Sequence, residues 1–446
     1  MREELLHGWG RCPLLRTQLT EPTNTEEITA ILSQSSELIP MGLGRSYGDS
    51  ALAQCVLKTH KLDRFISFDP VQGILECEAG VSLEDILKVF VPQGWFPPVT
   101  PGTRFVTVGG MLASDIHGKN HHKVGSFSNH VVGFALLTAE GEELWVTPEE
   151  KPELFLATAG GVGLTGIILR VRFMLQPIHS SFIRQTTLKL TCLEDLLESF
   201  EATASSTYSV AWIDCLARGR SLGRSLLMLG EHADPIELVD TVSNPLSLQL
   251  HQKAAVPFDF PCWALNSWSI QAFNTAYYQR IRKTEMQEIL PLTNFFYPLD
   301  TVHNWNRIYG KRGFYQYQCV LPIQPTGAAS LKRLLEKIAE AKTGSFLAVL
   351  KLFGPEDPPY LAFAMEGYTL ALDFPANSET ENLLIRLDQI VEDAGGRLYL
   401  TKDARMPRSM LQSGYPHLDK FLKIKHQVDP ENRFTSLQAQ RLGLVA

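Results

Sequence analysis

Two glycine-rich segments about 60 residues apart constrain the fold of this chain more than any other feature. The first, residues 40–50, carries Gly42, Gly44 and Gly48 in the run PMGLGRSYGDS. Glycine reaches positive φ without steric cost, so three glycines this close let successive backbone N–H groups point at one anion. Glycine content alone does not distinguish a pyrophosphate-binding loop from an ordinary tight turn.

The second segment, residues 101–122, favours the binding loop. It reads PGTRFVTVGGMLASDIHGKNHH, in which Gly109 and Gly110 are followed by small residues. Such a backbone can press against a flat ring, and His117 and Lys119 lie where the chain leaves it. Two anion-binding loops in one chain are hard to explain by chance, and together they predict a site for a phosphate-containing cofactor.

A third glycine-rich run tests one class of cofactor directly. The run GVGLTG, from Gly161 to Gly166, matches the dinucleotide fingerprint GxGxxG. That fingerprint requires a strand before it, a helix after it and an acidic residue about 20 positions further on. Here a helical pattern (PELFLATA) precedes the run, a strand pattern (IILRVRFML) follows it, and residues 182–188 contain no acid. A nicotinamide-binding Rossmann domain is therefore not expected.

Length, charge and cysteine content set the broad class of protein. A chain of 446 residues is too long for one hydrophobic core, so we expect two domains. The net charge of −7 argues against a nucleic-acid partner, and the seven cysteines form no CxxC pair, which predicts reduced thiols. We find no secretory leader and no membrane-spanning run, so we expect a cytoplasmic protein, with peripheral contact with the inner membrane through apolar loops left open.

Residues 1–175 read as an α/β region rich in tight turns. Helical patterns occur at 26–33 and after Ser82, which is a candidate N-cap, and strand patterns occur at 132–138 and 167–174. The glycine-rich segments lie between these elements.

The region after residue 314 has a regular βαββαβ order. Helices are expected after Ser330 and at Ser378, where Ser378 and Glu381 have the spacing of a capping box, and Gly395 and Gly396 end the second helix. The strands are predicted at residues 315–321, 346–353, 370–374 and 397–400. This order is typical of an antiparallel sheet with helices on one face and the other face free to cover a site.

Four histidines, His117, His121, His122 and His130, lie close together in the sequence. No cysteine or paired carboxylate accompanies them at ligand spacing, so we expect no metal and instead a role in positioning substrate or cofactor.

Two lysines stand in unusual places. Lys351 interrupts the apolar strand VLKLFG, and Lys402 directly follows a strand in YLTKDAR. A lysine on a strand is usually a solvated edge residue, but the position of both around the βαββαβ motif indicates a functional site.

Taken in order, the motifs GLGRSYGD, PGTRFVTVGG, SDIHGKNHH, GGVGLTGII, KLFG, GRLYLTKDAR and DPENRF point to a family. From Trp9 nearly to the C-terminus, the chain resembles the FAD-dependent oxidoreductases of the vanillyl-alcohol oxidase and p-cresol methylhydroxylase fold. Within them it is most similar to the branch that oxidises decaprenylphosphoryl-β-D-ribose. The resemblance implies an α+β fold with an FAD-binding domain in two parts, residues 1–176 and 397–446. Residues 177–396 would form an inserted substrate or cap domain, built on an antiparallel sheet covered by helices.

The resemblance also implies the residues of the site. His117, Lys119, Lys351 and Lys402 fall on active-site positions. Lys402 would stabilise negative charge on the reduced flavin or on a substrate oxygen, and Lys119, Lys351 or both would bind a substrate phosphate. The implied cofactor-binding residues are Pro40, Met41, Gly42, Leu43, Gly44, Arg45, Ser46, Tyr47, Gly48, Asp49, Ser50, Gly102, Thr107, Val108, Gly109, Gly110, Ser114, Asp115, Ile116, His117, Ile167, Tyr399 and Lys402.

The chain departs from its relatives at three positions. Ala371 and Thr369 stand where the resembled branch has an active-site cysteine and an asparagine. That cysteine is not needed for hydride transfer to flavin, so the departures affect the expected substrate rather than the expected reaction. Arg45 stands where related sugar-alcohol and aldonolactone oxidases have a histidine bonded to FAD, and arginine cannot form that bond. We therefore expect non-covalent FAD.

The reaction implied is oxidation of a sugar hydroxyl to a keto group by hydride transfer to flavin, at the 2-hydroxyl of a polyprenylphosphoryl pentose. A short-chain reductase would be the partner that completes an epimerisation. Two alternatives stay open at this point. One is oxidation of a soluble sugar, polyol, aldonolactone or secondary metabolite, and the other is a non-catalytic, flavin-binding partner subunit.

Overall fold

The computed structural model describes residues 2–239, 242–250, 254–261, 263–355 and 359–445, so Cys262 lies outside the described residues. In the first part of the chain short helices alternate with strands. The strands are β1 (Arg2–His7), β2 (Leu14–Thr20), β3 (Ile39–Met41), β4 (Cys55–Lys58), β5 (Phe65–Asp69), β6 (Ile74–Glu78), β7 (Trp95–Phe96), β8 (Val131–Leu137), β9 (Glu143–Val146), β10 (Ile167–Met174) and β11 (Gln176–Pro177). The helices are α1 (Thr25–Gln34), α2 (Leu83–Phe90), α3 (Val108–Ala113), α4 (His121–Val124) and α5 (Pro152–Thr158).

Two sheets organise this first part. A four-stranded sheet has the order β1-β2-β4-β3, and a five-stranded antiparallel sheet has the order β5-β6-β10-β8-β9. The predicted helix after Ser82 is confirmed as α2, because the Ser82 side chain accepts a hydrogen bond from the Asp85 backbone. The first glycine-rich segment, residues 40–50, starts within β3, which is an edge strand of the four-stranded sheet. The segment therefore continues from that edge as a loop.

The remainder of the chain forms one large sheet, several helices and a helical tail. Its strands are β12 (Phe182–Leu190), β13 (Tyr208–Ile213), β14 (Ser225–His232), β15 (Ala254–Ala255), β16 (Glu285–Pro291), β17 (Val302–His303), β18 (Phe314–Pro322), β19 (Ala348–Phe353), β20 (Gly367–Pro375) and β21 (Arg397–Leu398). Its helices are α6 (Leu193–Ala202), α7 (Ser267–Gln279), α8 (Leu292–Phe296), α9 (Gly327–Ala341), α10 (Ser378–Asp393), α11 (Arg408–Gly414), α12 (Leu418–Val428) and α13 (Leu437–Leu442).

The large sheet confirms the predicted antiparallel architecture. Its eight strands have the order β16-β12-β14-β13-β19-β20-β18-β21, and every neighbouring pair is antiparallel. The βαββαβ order is also confirmed, running from β18 through α9, β19, β20 and α10 to β21. Helices α9 and α10 pack against each other and against β18, which leaves the opposite face of the sheet available for a cavity.

One helix start and one helix cap were predicted wrongly, whereas the expected start of α10 at Ser378 is confirmed. Helix α9 begins at Gly327 rather than after Ser330. Helix α10 is capped by Asn377, whose side chain accepts from the Thr380 backbone, so the expected capping box at Ser378 does not form. The predicted end is confirmed, because Gly395 takes a positive φ of 71° and its N–H donates to the Glu392 carbonyl at 2.9 Å.

The C-terminal tail returns to the first part of the chain. Leu38 and Arg433 are joined by a backbone hydrogen bond of 2.8 Å. The guanidinium of Arg441 pairs with Asp49 at 2.8 Å and with Asp403 at 2.9 Å. Because β21 is also hydrogen-bonded to β18, the tail joins the glycine-rich region to the large sheet. The domain boundaries at 176/177 and 396/397 stay predictions.

Within the described residues, no helix is both long and apolar enough to cross a membrane.

Candidate active site

A cavity of about 620 Å³ lies where the glycine-rich loops meet the large sheet. Its volume is in the usual range for a site that holds a small molecule or cofactor. Many of the predicted site residues line it: Pro40, Met41, Gly42, Leu43, Gly44, Arg45, Ser46, Tyr47, Ser50, Gly102, Thr107, Gly109, Gly110, Ser114, Ile116, His117, Lys119, Lys351, Tyr399 and Lys402. The structure thus brings both glycine-rich segments and all three predicted lysines to one place.

Five predicted cofactor residues do not line the cavity. Gly48 and Asp49 lie behind it, Gly48 against the backbone of Asp403 and Asp49 in an ion pair with Arg441. Val108 is buried in the core, and Asp115 accepts a hydrogen bond from the Ser128 backbone at 3.0 Å.

The fifth is Ile167, whose side chain points away from the cavity, so its part in cofactor binding stays a prediction. Ile167 is fully buried in a separate hydrophobic cluster, whereas its neighbour Ile168 lines the cavity. Successive side chains of β10 point to opposite faces, so a step of one residue exchanges core for cavity.

The loop 42–46 offers unused backbone donors. Among the described residues, nothing accepts a hydrogen bond from the N–H groups of Leu43 to Ser46. Gly44 has a positive φ of 64°, which turns the chain between these donors. Arg45 adds a buried Nε without a partner, and its guanidinium lies 3.9 Å from the centroid of the Trp9 ring. The buried Arg45 Nε and the neighbouring backbone N–H groups without acceptors together fit a phosphate group.

The second glycine-rich segment forms the start of α3. Thr107 is the N-cap and accepts from the Gly110 backbone at 3.2 Å. A Cβ on Gly109 would lie 2.8 Å from the Cβ of Ala79, so this glycine is required by packing within the protein as well as by the cavity. A Cβ on Gly102 would meet nothing within 4 Å, so the backbone there faces open space into which a flat ring can approach.

The third glycine-rich run was rejected as a Rossmann fingerprint, and its structural context agrees, with α5 before it and β10 after it. Its residues Val162, Gly163 and Gly166 nevertheless line the same cavity. Val162 takes a positive φ of 47° and Gly163 one of 84°, so this turn presents backbone to the site. The sequence reading missed it as a candidate binding loop.

Lys119 and Lys351 meet at the sheet side of the cavity. The Lys119 amine donates to the carbonyl oxygen of Phe295 and lies 4.1 Å from the centroid of that ring. The Lys351 amine, on β19, donates to the carbonyl oxygen of Gly118 at 3.4 Å. Burial lowers the pKa of each lysine to about 7, and the positive charge of Lys351 further lowers that of Lys119.

Lys402 reaches the cavity from the loop after β21. Its amine lies 3.9 Å from the centroid of the Tyr47 ring. Burial lowers the pKa of Lys402 to about 7; Asp373 acts in the opposite direction, and Lys351 reinforces the lowering. None of the three lysines forms an ion pair with a carboxylate in the described part of the chain, although the charge of Asp373 acts on Lys402.

His117 is buried among aromatic rings. Its ring centroid lies 4.8 Å from that of Phe353 and 5.2 Å from that of Tyr399. Its Nε2 is 3.0 Å from the Gln318 amide nitrogen, whose N–H donates to it, while its Nδ1 is buried without a partner. Burial and the nearby lysines lower its pKa well below 6.5, so the imidazole is neutral at physiological pH.

The other three histidines do not line the cavity, although His121 shares the Phe353 ring with His117. His121 packs on Phe353, His122 lies near the Ser206 carbonyl, and His130 near that of Val124. No group of three or more potential metal ligands occurs among the described residues.

Sequence reasoning missed most of the residues that the large sheet contributes. Gln316 and Gln318 lie on the cavity side of β18, and Trp212, Met228 and Tyr277 form an apolar wall further along. The two glutamines carried a readable signal, because they alternate with apolar residues in the strand FYQYQCVLP. The apolar wall carried none, since it assembles from separate strands and a helix.

Family models match both ends of the chain. Residues 17–147 match an FAD binding domain, and residues 360–442 match D-arabinono-1,4-lactone oxidase. The first match contains both glycine-rich segments, and the second contains Tyr399 and Lys402. The predicted cofactor, FAD, is thereby confirmed. The donors of the loop 42–46 described above fit its phosphate groups.

Similar proteins extend this result to the whole length. A decaprenylphosphoryl-β-D-ribose oxidase from Mycolicibacterium smegmatis is 36% identical over 99% of this chain and 97% of that protein. An L-gulonolactone oxidase from Bos taurus is 27% identical over 44% of this chain and 44% of that protein. A solved structure, a variant of BBE-like 1 from Physcomitrella patens, shares the fold with a TM-score of 0.66 at 15% identity, covering 94% of this chain and 89% of that one. The chain therefore belongs to the family of FAD-dependent oxidoreductases that includes the mycobacterial decaprenylphosphoryl-β-D-ribose oxidase.

Proposed function

We propose that this enzyme oxidises a hydroxyl of a polyprenylphosphoryl pentose, at the 2-position, to a keto group with hydride transfer to FAD. The observation that carries the proposal is the set of three half-buried lysines, Lys119, Lys351 and Lys402, in one cavity with an apolar wall. An anionic sugar with a long apolar chain matches both halves of that cavity. The full-length relative named for a decaprenylphosphoryl ribose supports the same substrate class.

Two of the lysines bind the substrate phosphate in this scheme, and the third takes part in the chemical step. Lys119 and Lys351 lie close enough to affect each other's charge, which suits one phosphate held by two amines. An anion bound there raises the pKa of both lysines and keeps them protonated. Lys402 reaches the cavity from the loop after β21, and a cation placed there stabilises negative charge that develops during the reaction.

His117 and Gln318 orient the reacting sugar in this scheme. The Gln318 amide fixes the imidazole ring through the 3.0 Å contact, which leaves the His117 Nδ1–H free to donate to a substrate oxygen. FAD supplies the hydride acceptor when it is bound. The packed rings around His117 exclude water from the reacting carbon.

We also propose that FAD is bound without a covalent link and that residues 1–176 and 397–446 hold it, with residues 177–396 as the cap. Arg45 supports the first point, because a guanidinium cannot bond to the flavin as a histidine can. The test is acid precipitation of the purified yellow protein. Yellow supernatant is expected, and a yellow pellet with a colourless supernatant would disprove non-covalent binding.

Exposed apolar side chains support peripheral contact with a membrane that holds a lipid-linked substrate. Phe258, Trp263 and Trp268 are 62%, 74% and 81% exposed, near the part of the chain that supplies Tyr277 and Arg280 to the cavity. Tryptophan side chains favour the membrane–water interface. In this setting a separate short-chain reductase would take the keto product and complete an epimerisation.

The substrate is tested by mixing the holoenzyme anaerobically with a short-chain polyprenylphosphoryl ribose and following the loss of flavin absorbance. Rapid bleaching is expected with this compound and not with free ribose or with ribose 5-phosphate. The match of residues 360–442 to a lactone oxidase makes an aldonolactone the second candidate. Bleaching by an aldonolactone alone would replace the lipid-linked substrate, and no bleaching with any compound would support a non-catalytic role.

A further inference from the structure

Asp373 is a buried carboxylate directly behind the cavity wall. It lies on β20 opposite Gln316 of β18, and its side chain is fully buried. The Gln316 amide donates to its Oδ1 at 2.6 Å, while its Oδ2 is buried without a hydrogen-bond partner. The Asp373 backbone N–H donates to the Ser345 hydroxyl at 3.1 Å, which fixes the strand at this point. A half-satisfied buried carboxylate is costly, so its retention indicates a role.

Gln316 from β18, whose amide is 2.6 Å from Asp373, lines the cavity together with Tyr47 from the first glycine-rich loop and Lys402 from the loop after β21. The charge of Asp373 acts on Tyr47, on Tyr309 from the turn before β18, and on Lys402. Lys402 is the cation in this group and also lines the cavity, as Gln316 does. A charge on Asp373 is therefore felt inside the cavity mainly through Lys402.

Burial and the charge of Lys351 both disfavour the protonated form of Lys402, whereas the Tyr47 ring, 3.9 Å from the amine, favours it through a cation–π contact. His117, the other titratable neighbour, is neutral and is itself affected by Lys402. Asp373 is the carboxylate that opposes these effects.

We propose that Asp373 is the counter-ion that keeps Lys402 protonated in the cavity, acting as a positioning residue that does not touch substrate. The proposal rests on the role of Lys402 given under the proposed function. Burial raises the pKa of Asp373 to about 7 and lowers that of Lys402 to about 7, and each charge favours the other. Two groups coupled in this way release their last proton at a higher pH than the lysine would alone.

The test compares the wild-type holoenzyme with Asp373→Asn, which keeps the shape and removes the charge. The rate of flavin reduction by substrate is measured between pH 6 and roughly 9.5, together with the midpoint potential of bound FAD over the same range. The alkaline limb of the rate profile and the break in the potential plot are both expected to move down by about one pH unit in Asp373→Asn. An unchanged position of both would overturn the proposal.

Asp214→Asn is the matched control. Asp214 is also a buried carboxylate in the large-sheet region, but it pairs with Arg224 at 2.6 Å and does not line or adjoin the cavity. Asp214→Asn is expected to lower stability without moving the alkaline limb of the rate profile or the break in the potential plot. A similar shift in this control would show that loss of any buried carboxylate produces the effect, and would overturn the proposal.

Two further variants keep the test decisive. If Asp373→Asn does not fold, Gln316→Leu removes the 2.6 Å hydrogen bond that favours the charged carboxylate, and a smaller shift in the same direction is expected. Lys402→Met is expected to abolish the break altogether. If the Lys402→Met enzyme keeps the break, the proposed role of Lys402 is wrong and this inference fails with it. If Lys402→Met loses the break but Asp373→Asn shows no shift, only this inference is overturned.

Discussion

The two walls of the cavity are built from different parts of the chain in different ways. The glycine-rich wall, residues 40–50 and 101–117, presents backbone from two continuous segments, and in the first of them the N–H groups of Leu43 to Ser46 have no acceptor among the described residues. The sheet wall presents side chains, among them Lys351, Gln318 and Trp212, that come from separate strands.

The difference predicts how each wall responds to mutation. A backbone cradle tolerates many side chains but fails when a Cβ fills the space beside it. A wall of side chains tolerates small backbone shifts but depends on the identity of each residue. We therefore expect glycine variants to lose cofactor with the fold intact, and lysine variants to lose chemistry or substrate binding with the cofactor retained.

The largest expected effect belongs to the sheet side. Lys402→Met should slow flavin reduction by roughly 100- to 1,000-fold, because the enzyme loses the cation that stabilises developing negative charge. Stopped-flow measurement of flavin bleaching gives the rate, and the FAD content of the purified protein should stay unchanged. Lys402→Arg keeps the charge and should lose much less. Reduction at the wild-type rate in Lys402→Met would show that the chemistry does not depend on this wall.

The next effect belongs to the glycine-rich wall. A Cβ on Gly42 would overlap the Thr107 hydroxyl that caps α3, so Gly42→Ala should displace the loop from the helix start. We expect FAD affinity to fall by roughly 10- to 100-fold, measured by titrating FAD into apoprotein and following its fluorescence.

Gly395→Ala is the control for this glycine variant. Gly395 has a positive φ of 71° at the end of α10, and a Cβ there would meet nothing within 4 Å. The substitution should cost about 1–2 kcal/mol of stability and leave FAD affinity unchanged. If Gly395→Ala loses FAD to the same degree, loss of stability rather than loss of the cradle explains the result for Gly42→Ala.

The glycine-rich wall was predictable because its backbone conformation depends on residues that are neighbours in the sequence. Gly42, Gly44 and the start of α3 at Thr107 need only a few neighbouring residues to define the turn. The βαββαβ order was predictable for a similar reason, since apolar periodicity extends over whole helices and strands.

The sheet wall was predictable only in part. Lys351 and Lys402 stood out by their positions in and after apolar strands, and the family resemblance then implied their roles, while Gln318 could have been found from the polar–apolar alternation of β18. Trp212 and Tyr277 could not, because their meeting depends on the order of strands in the sheet and on the packing of α7. Ile168 was missed because the face of β10 is set by its neighbours rather than by its own sequence.

A smaller effect separates substrate binding from chemistry within the sheet wall. Lys119→Met should raise the KM for a polyprenylphosphoryl sugar by roughly tenfold, with a smaller change in kcat. The exposed Lys123, four residues away, supplies the matched control Lys123→Met, which should leave KM unchanged. A tenfold loss of kcat at constant KM would move Lys119 from phosphate binding to the chemical step.

The same lysines predict how affinity depends on pH. Their pKa values of about 7 mean that both are charged below neutral pH and lose their protons above it. Affinity for a phosphorylated substrate should therefore fall as pH rises from about 6.5 to 8.5, by up to tenfold per pH unit for each lysine that must be reprotonated on binding. A calorimetric titration should also show proton uptake on binding, and affinity that is constant over this range would contradict the assignment.

The smallest expected effect concerns Ala371, which lies on β20 opposite Gln318 and lines the cavity. Ala371→Cys should change the rate of flavin reduction by less than about threefold, since a thiol at the sheet wall takes no part in transferring a hydride, and adding one sulfur to a cavity of about 620 Å³ leaves room for substrate. The new thiol should react with a small thiol reagent, whereas the buried Cys319 on the neighbouring strand should not. A rate change above tenfold would mean that the sheet wall contacts the sugar through more residues than its lysines. Position 371 would then, like the lysines, determine which sugar is oxidised.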